Sequence, residues 1–287
     1  MANVDEIDET YGTDESYETD ETNDYEYSRE EAITVIRDYY QFLCTMYMDE
    51  SMIQEPPEGG WTSIPDGWTD FDKTEEVLEL LRHLPYLNFK VMGAPDCRFM
   101  NWHTGLTNWN GEKLKLFTEI LPEEGMIPPH IVGLTFIMRY TPAILLDTEL
   151  GVIYWHDPPG EIMTGYGSFG EATSWAEDGL IPEDQVEWRE SSCFWLFQHF
   201  FEMLKNKFRT LEFVPFGRHQ VESMWPFIQR NEEKQRLLEA IQEVYRDHGW
   251  PDMTRFRKED CLADIDAMVK ARFPDFEEDY HDTGYLG

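Results

Sequence analysis

Hydrophobic residues concentrate between Ile131 and Pro159, the longest apolar stretch of the chain with β-strand chemistry. Two apolar runs, 143–146 and 152–155, are separated by a short connection that begins with Asp147 and ends with Gly151. Asp can accept hydrogen bonds from turn amides, and Gly can adopt the positive φ that closes such loops, so this pattern predicts a β-hairpin. A strand is also predicted just before the hairpin, because four apolar residues of one parity would share a face of a sheet: Val132, Leu134, Phe136 and Met138.

Helical periodicity surrounds this stretch on both sides. Ser28 and Glu31 have the spacing of a capping box, which satisfies the unpaired amides of a helix start, so a helix is predicted from Ser28 to about Met48. A second helix is predicted over 73–83, and Pro85 ends it. Three more helices are expected later in the chain: Ser192 to Phe208, Asn231 to His248 and Arg257 to Arg272.

Weaker signals predict short strands between the second helix and the hairpin. Leu114 and Leu116 alternate with lysines, which is typical of a half-buried strand that reaches Ile120. Segments 88–92 and 97–101 also have strand-like composition, although Gly and Pro interrupt them.

These elements predict an α+β fold, in which an antiparallel sheet packs against helices and a helical C-terminal extension follows. Residues 1–27 are rich in acids, Thr and Tyr with little to bury, so they are predicted to form a disordered acidic tail. The α+β domain is expected over 28–217 and the helical extension over 218–287. The acidic end of the chain, after Phe273 and Pro274, is expected to fray.

The charge balance limits the kinds of molecule that the protein is expected to bind. The chain has 58 acidic and 23 basic residues, for a net charge of −35, and eleven of the acids lie in the first 27 residues. Binding to nucleic acid or to an anionic membrane needs a basic surface, so neither is expected. An acidic protein favours a basic protein partner, although an acidic surface that only maintains solubility is the simpler interpretation.

The cysteines and the apolar runs indicate the cellular compartment in which the protein is expected. Four cysteines lie far apart without zinc-finger spacing, which suits reduced, buried thiols in the cytoplasm or nucleus. The N-terminus lacks the basic and apolar segments of a secretion signal, and no uncharged apolar run reaches the length that spans a membrane.

Catalytic motifs are mostly missing from the sequence. It contains no nucleophile elbow, no phosphate-binding P-loop and no dinucleotide-binding glycine motif. His103, His130 and His156, with Asp157, are residue types that bind zinc or iron, but their spacing matches no compact ligand motif. We therefore expect no metal and no cofactor, and metal-assisted hydrolysis by this His/Asp group is an alternative hypothesis.

Tryptophans in loop-like surroundings are the better candidates for binding. Exposed tryptophans often anchor a partner, although they also fill the edges of irregular cores. Trp155, His156 and Asp157 are added to the candidates because they lie where a strand is predicted to leave the sheet. The loop candidates are Trp61, Trp102 and Trp109.

The order of motifs resembles the SUKH superfamily, which includes fungal cell-wall-synthesis regulators of the Smi/Knr type and bacterial toxin-immunity proteins. The resemblance covers roughly 74–215 and depends on the segments LRHLPYL, AILLDTELGVIYW and SSCFWLFQHFFEML. The segments VYRDHGWPD and RKEDCL resemble a narrower set of uncharacterised fungal proteins. The long Gly-rich segment at 160–190 departs from the compact pattern of the superfamily.

The resemblance implies a non-enzymatic role in binding other proteins, as immunity proteins bind toxins. The leading hypothesis is an intracellular interaction module, regulatory or immunity-like, for a basic protein partner. The alternatives are the metal-assisted hydrolase and a structural subunit that docks through its C-terminal helices.

Overall fold

The computed structural model describes residues 27–65, 67–68, 70–120, 126–137, 141–158, 162, 182–225 and 232–281. The helices in these ranges are α1 (Arg29–Met46), α2 (Glu75–His83), α3 (Trp102–Asn108), α4 (Gly111–Thr118), α5 (Val186–Glu190), α6 (Phe197–Arg209), α7 (Glu232–Asp247), α8 (Lys258–Arg272) and α9 (Glu277–His281). The strands are β1 (Ile53–Gln54), β2 (Tyr86–Leu87), β3 (Arg98–Phe99), β4 (Ile131–Gly133), β5 (Thr135–Phe136), β6 (Ala143–Asp147), β7 (Val152–His156), β8 (Ser192–Leu196), β9 (Phe213–Phe216) and β10 (Gln220–Ser223). The predicted α+β class is confirmed.

A four-stranded antiparallel sheet, in the order β4-β6-β7-β8, lies at the centre of the fold. The predicted hairpin is its middle pair. The Asp147 carboxylate accepts hydrogen bonds from the amides of Glu149 and Leu150 at 3.0 and 2.9 Å, and Gly151 has a φ of +66°. Local chemistry therefore closes this turn in the way that the sequence indicates.

Both faces of this sheet are buried. Alternating side chains of β6 and β7 enter two separate apolar clusters: Ile144 and Trp155 belong to the large core, and Leu145 and Tyr154 belong to a smaller cluster that includes Trp188. Helices α1 and α6 pack on the large-core side. Burial on both faces explains why 143–146 and 152–155 are apolar without alternation.

The strand predicted before the hairpin divides between two sheets. β4 pairs with β6, whereas β5 pairs with β3 in a two-stranded sheet. Val132 and Leu134 are buried in the large core and Phe136 packs against it, as their common parity predicts. Met138 lies outside the described residues.

Residues 114–118 belong to helix α4, so the strand predicted there is wrong. Asn110 caps α4, because its side-chain oxygen accepts a hydrogen bond from the Lys113 amide at 3.1 Å. Leu114 is buried, whereas Leu116 is 51% exposed. Their spacing suggested one face of a strand, but on the helix they occupy different faces. Of the two other weak predictions, β3 forms within 97–101, and no strand forms at 88–92.

The helix predicted from Ser192 to Phe208 is wrong in its first part. Ser192–Leu196 form β8, the edge strand beside β7, and α6 starts at Phe197. A hydrogen bond from the Phe197 amide to the Gly151 carbonyl, 3.0 Å long, fixes the point where strand becomes helix. Cys193 is therefore a buried strand residue and does not lie at a helix N-terminus.

The other helix predictions agree with the structure. Ser28 caps α1 by accepting a hydrogen bond from the Glu31 amide at 3.4 Å, and the helix ends at Met46, two residues early. Thr74 caps α2 in the same way. Helices α7 and α8 occupy the two predicted C-terminal segments, although Asn231, where the first was predicted to begin, lies outside the described residues.

The C-terminal helices share one core with the rest of the chain. The boundary predicted at 217/218 falls in the tight turn between β9 and β10, where Phe216 pairs with Gln220 and Gly217 has a φ of +76°. Apolar residues of α7 and α8 join the large core: Leu237, Leu238, Ile241, Leu262 and Ile265. The expected fraying after Pro274 is wrong as far as His281, because α9 forms there and buries Tyr280.

The predicted acidic tail falls almost entirely outside the described residues. Tyr27, its last residue, is described and packs half-buried against the large core. Its backbone amide lies close to the turn at Gly151. The first described residue is therefore anchored at the central hairpin.

Candidate functional site

Trp61 and His103 stack on each other at the surface. Trp61 follows a tight turn that closes with a 2.9 Å hydrogen bond from the Gly60 amide to the Pro57 carbonyl, and His103 lies in the first turn of α3. The ring centroids are 4.3 Å apart with an interplanar angle of 24°, and both residues are partly exposed. The structure thus brings a predicted binding residue and a predicted metal ligand together.

Hydrogen bonds to α2 and its C-terminus hold Trp61 in place. Its indole nitrogen donates to the Leu84 carbonyl at 2.8 Å, and its backbone amide donates to the Arg82 carbonyl at 2.9 Å. The buried Arg82 side chain donates in return to the carbonyls of Ile64 and Pro65, at 3.0 and 2.9 Å. The loop is therefore a rigid support for an aromatic surface, and such preorganisation lowers the entropic cost of binding.

Three carboxylates lie on the turn and the helix that hold this aromatic pair. Arg82 contacts both Glu75 and Glu79, so one buried guanidinium faces two partly exposed carboxylates. Glu58 is exposed in the turn before Trp61. The His83 ring lies against Gly60, because a Cβ added there would be 3.2 Å from its Nε2 atom. This part of the chain therefore carries three acids, Glu58, Glu75 and Glu79, beside one arginine.

Ser63 hydrogen bonds to His103, which raises the question of nucleophilic catalysis. Ser63 Oγ is 2.8 Å from His103 Nδ1. In a catalytic triad a third group orients the histidine through its other nitrogen. Among the described residues, His103 Nε2 has no hydrogen-bond or ion-pair partner. The contacts that the structure describes hold the imidazole between Ser63 and the Trp61 ring.

Two of the predicted binding tryptophans are buried in the core. Trp102 is 1% exposed and packs on Phe71 with ring centroids 5.0 Å apart. Trp155 is fully buried and packs on Trp195 and Phe200. Neither indole presents a surface to a partner, which corrects the expectation for both residues. Trp109 is partly exposed, and it contacts Phe117 and Phe136 rather than Trp61.

His156 and Asp157 lie at the end of β7, as predicted, and do not join the Trp61 site. His156 Nδ1 is 3.4 Å from Ser191 Oγ and from Ser192 Oγ, at the outer limit for a hydrogen bond. Asp157 is exposed, has a φ of +51° and is 3.6 Å from His156 Nε2. This is a loose surface cluster.

The three histidines of the alternative metal site have different neighbours. His130 Nε2 is 3.8 Å from Asp147 Oδ1, and its Nδ1 is 3.4 Å from Glu149. His103 stacks on Trp61, whereas His156 contacts serines. Within the described ranges, no group of three His, Cys, Asp or Glu side chains is arranged to hold a metal ion. Among the described residues, His103, His130 and His156 therefore do not form one site.

The site also includes residues that the sequence did not indicate. Ser63 and Arg82 carry no motif, and their roles depend on contacts across the fold. One signal was available: Glu79 and Arg82 are three residues apart on a predicted helix, a spacing that favours an ion pair.

Comparison with known proteins identified no related protein. The chain matches no protein-family model, no curated protein and no solved structure. The SUKH resemblance stays a prediction. In the part of the chain that the structure describes, no helix is long and apolar enough to cross a membrane.

Proposed function

We propose that this protein is a non-enzymatic interaction module that binds a basic segment of another protein at the Trp61 site. The stacked Trp61–His103 pair carries the proposal, because it is a partly exposed aromatic surface on a rigid loop. An arginine or lysine side chain can lie over an indole face, where the negative ring face attracts the cation. Glu58 in the preceding turn, and Glu75 and Glu79 on the helix that Arg82 links to this loop, supply opposite charge in the same region.

The net charge of −35 supports the same kind of partner. A strongly negative protein attracts basic partners over longer distances and raises their association rate, whereas the local site determines orientation. A regulatory or immunity-like role in the cytoplasm or nucleus accords with the SUKH resemblance. All four cysteines are buried and unpaired, as suits a reducing compartment.

The first experiment measures binding of a fluorescent peptide of alternating arginine and glycine by fluorescence anisotropy. We expect Kd to rise steeply between about 0.05 and 0.5 M salt, because screening shortens the range of the charge interactions. Glu58→Lys reverses one charge at the site. At roughly 0.4–2 kcal/mol for a lost attraction plus a new repulsion, Kd should increase about 2- to 30-fold.

Glu243→Lys is the matched control, because Glu243 is exposed on α7 and the substitution changes the net charge equally. It should change Kd less than Glu58→Lys does. Trp61→Leu tests the aromatic contribution, with circular dichroism to confirm folding. Binding that is indifferent to salt, or equal effects of the two charge reversals, would contradict the proposal.

A further inference from the structure

His103 is a titratable residue in direct contact with Trp61. The centroids of the two rings are 4.3 Å apart, and both residues are partly exposed. An imidazole is the side chain that ordinarily changes charge between about pH 5 and 8, whereas the guanidinium of an arginine ligand stays charged throughout that range. A proton on His103 therefore alters the charge at the Trp61 site without altering the charge of the ligand.

The contact with Ser63 is compatible with both charge states of the ring. Ser63 Oγ lies 2.8 Å from His103 Nδ1. A serine hydroxyl can donate a hydrogen bond to a neutral ring nitrogen, and it can accept one from a ring nitrogen that carries a proton. The imidazole can thus gain a proton while it stays stacked on Trp61.

The charged groups near His103 come from the turn and from the end of α2. The turn contributes Glu58, and the helix end contributes Arg82 and His83, whose ring lies against Gly60. Helix α3 has no other ionisable residue, and α4 packs on it at Gly105, which faces another side of the helix because it is two residues further on. In the part of the chain that the structure describes, none of these groups forms an ion pair with His103. A proton on the ring therefore adds a positive charge at the indole that no described carboxylate pairs with.

We propose, on the basis of the proposed function, that protonation of His103 weakens the binding of a basic segment at the Trp61 site, so that mild acidification releases the partner. A protonated imidazole is itself a cation at the indole. It competes with the cation of the ligand for the negative ring face, and it also repels that cation. Both effects act in the same direction.

The distances make this repulsion effective. A cation that interacts with an indole lies within about 6 Å of the ring centroid. Since the imidazole centroid is 4.3 Å from the same point, the two charges are at most about 10 Å apart. The Debye length is about 10 Å at 0.1 M salt and about 30 Å at 0.01 M salt. The effect of pH should therefore be largest at low ionic strength.

The experiment measures Kd of the arginine–glycine peptide for the whole chain at about pH 8 and about pH 5.5, in about 0.01 M salt. Carboxylates ordinarily titrate below this pH range, so histidines account for most of the change in charge. We expect Kd to be about 3- to 30-fold higher at the lower pH, a factor that corresponds to the usual strength of a cation–π contact.

Three variants assign the pH dependence to one histidine. His103→Phe keeps an aromatic ring beside Trp61 but cannot be protonated, so its two Kd values should differ by about twofold or less. His281→Phe is the matched control, because His281 is exposed on α9 and the substitution removes the same titratable group. His83→Gln removes the neighbouring imidazole. Both of these variants should keep the pH dependence of the native sequence, and an equal loss in either of them, or none in His103→Phe, would overturn the proposal.

A measurement on the native sequence covers the case in which His103→Phe does not fold. NMR signals of the imidazole follow the protonation of His103 as the pH changes. Binding and protonation are linked reciprocally, so saturating peptide should lower the pH of half protonation by about 0.5–1.5, which is the logarithm of the same factor. An unchanged titration in the presence of peptide would refute the proposal.

The outcome at pH 8 separates this proposal from the proposed function. A peptide that does not bind at pH 8 contradicts the proposed function, and the pH control fails with it. A peptide that binds at pH 8 and binds equally well at pH 5.5 leaves the proposed function intact and overturns the pH control alone.

Discussion

The buried ion pair between Asp147 and Arg189 gives the sharpest test of how the central hairpin is stabilised. Asp147 is fully buried and Arg189 is 2% exposed. Arg189 Nη1 donates to Asp147 Oδ2 at 2.9 Å and also contacts the Tyr154 hydroxyl, and Nη2 donates to Gln185 at 2.8 Å. The pair thus connects the hairpin turn to α5.

Removing either charge should cost more stability than removing both. Arg189→Met keeps much of the side-chain volume but leaves the Asp147 carboxylate buried without its counter-charge. Asp147→Asn keeps an oxygen for the turn amides but leaves the guanidinium unpaired. Breaking a buried ion pair on one side costs about 3–5 kcal/mol, whereas replacing both partners is often close to neutral. The double variant should therefore be more stable than either single variant.

Urea unfolding, followed by circular dichroism and tryptophan fluorescence, measures these differences. With a slope of about 3 kcal/mol per M, each single variant should lower the midpoint by about 1–1.7 M. Coincidence of the two probes checks that unfolding is two-state, which the comparison of free energies requires. A double variant whose loss equals the sum of the single losses would refute the reasoning, because it would show that the two charges do not interact.

Two further predictions concern packing and thiol reactivity. A Cβ at Gly133 would lie 1.8 Å from the Thr118 carbonyl oxygen, so Gly133→Ala should force α4 away from β4. The free energy of unfolding should fall by about 1–3 kcal/mol, which urea titration measures. An unchanged midpoint of unfolding would show that the contact between α4 and β4 is loose. Burial raises the pKa of the Cys44 thiol to about 11 and that of the Cys261 thiol to about 12. Alkylation by iodoacetamide at pH 8 should therefore be slow, because the thiolate is the reactive form. As long as the protein stays folded, the alkylation rate should rise about tenfold per pH unit until the pH reaches these pKa values. Mass spectrometry follows the adducts, urea-unfolded protein is the fast control, and rapid native labelling of either thiol at pH 8 would contradict the prediction.

Predictions that depend on capping and turn residues agree with the structure. The hairpin at 143–156, α1 and α2 were predictable because Asp147, Gly151 and the capping residues Ser28 and Thr74 act on their own neighbours in sequence. The candidate site was only partly predictable. Trp61 was singled out by its Gly- and Pro-rich surroundings, but its contact with His103 joins two distant segments.

The sequence by itself determined the main hairpin, most of the helices and the acidic character of the protein, because caps, turn residues and charges are local properties. Only the tertiary structure decided that 192–196 is a strand, since an apolar run becomes one when a sheet edge such as β7 is available to pair with it. It also decided which tryptophans are accessible: Trp102 and Trp155 are buried, whereas Trp61 and Trp109 keep exposed surface. Burial depends on which distant segments pack on a residue, and single-residue chemistry does not specify that.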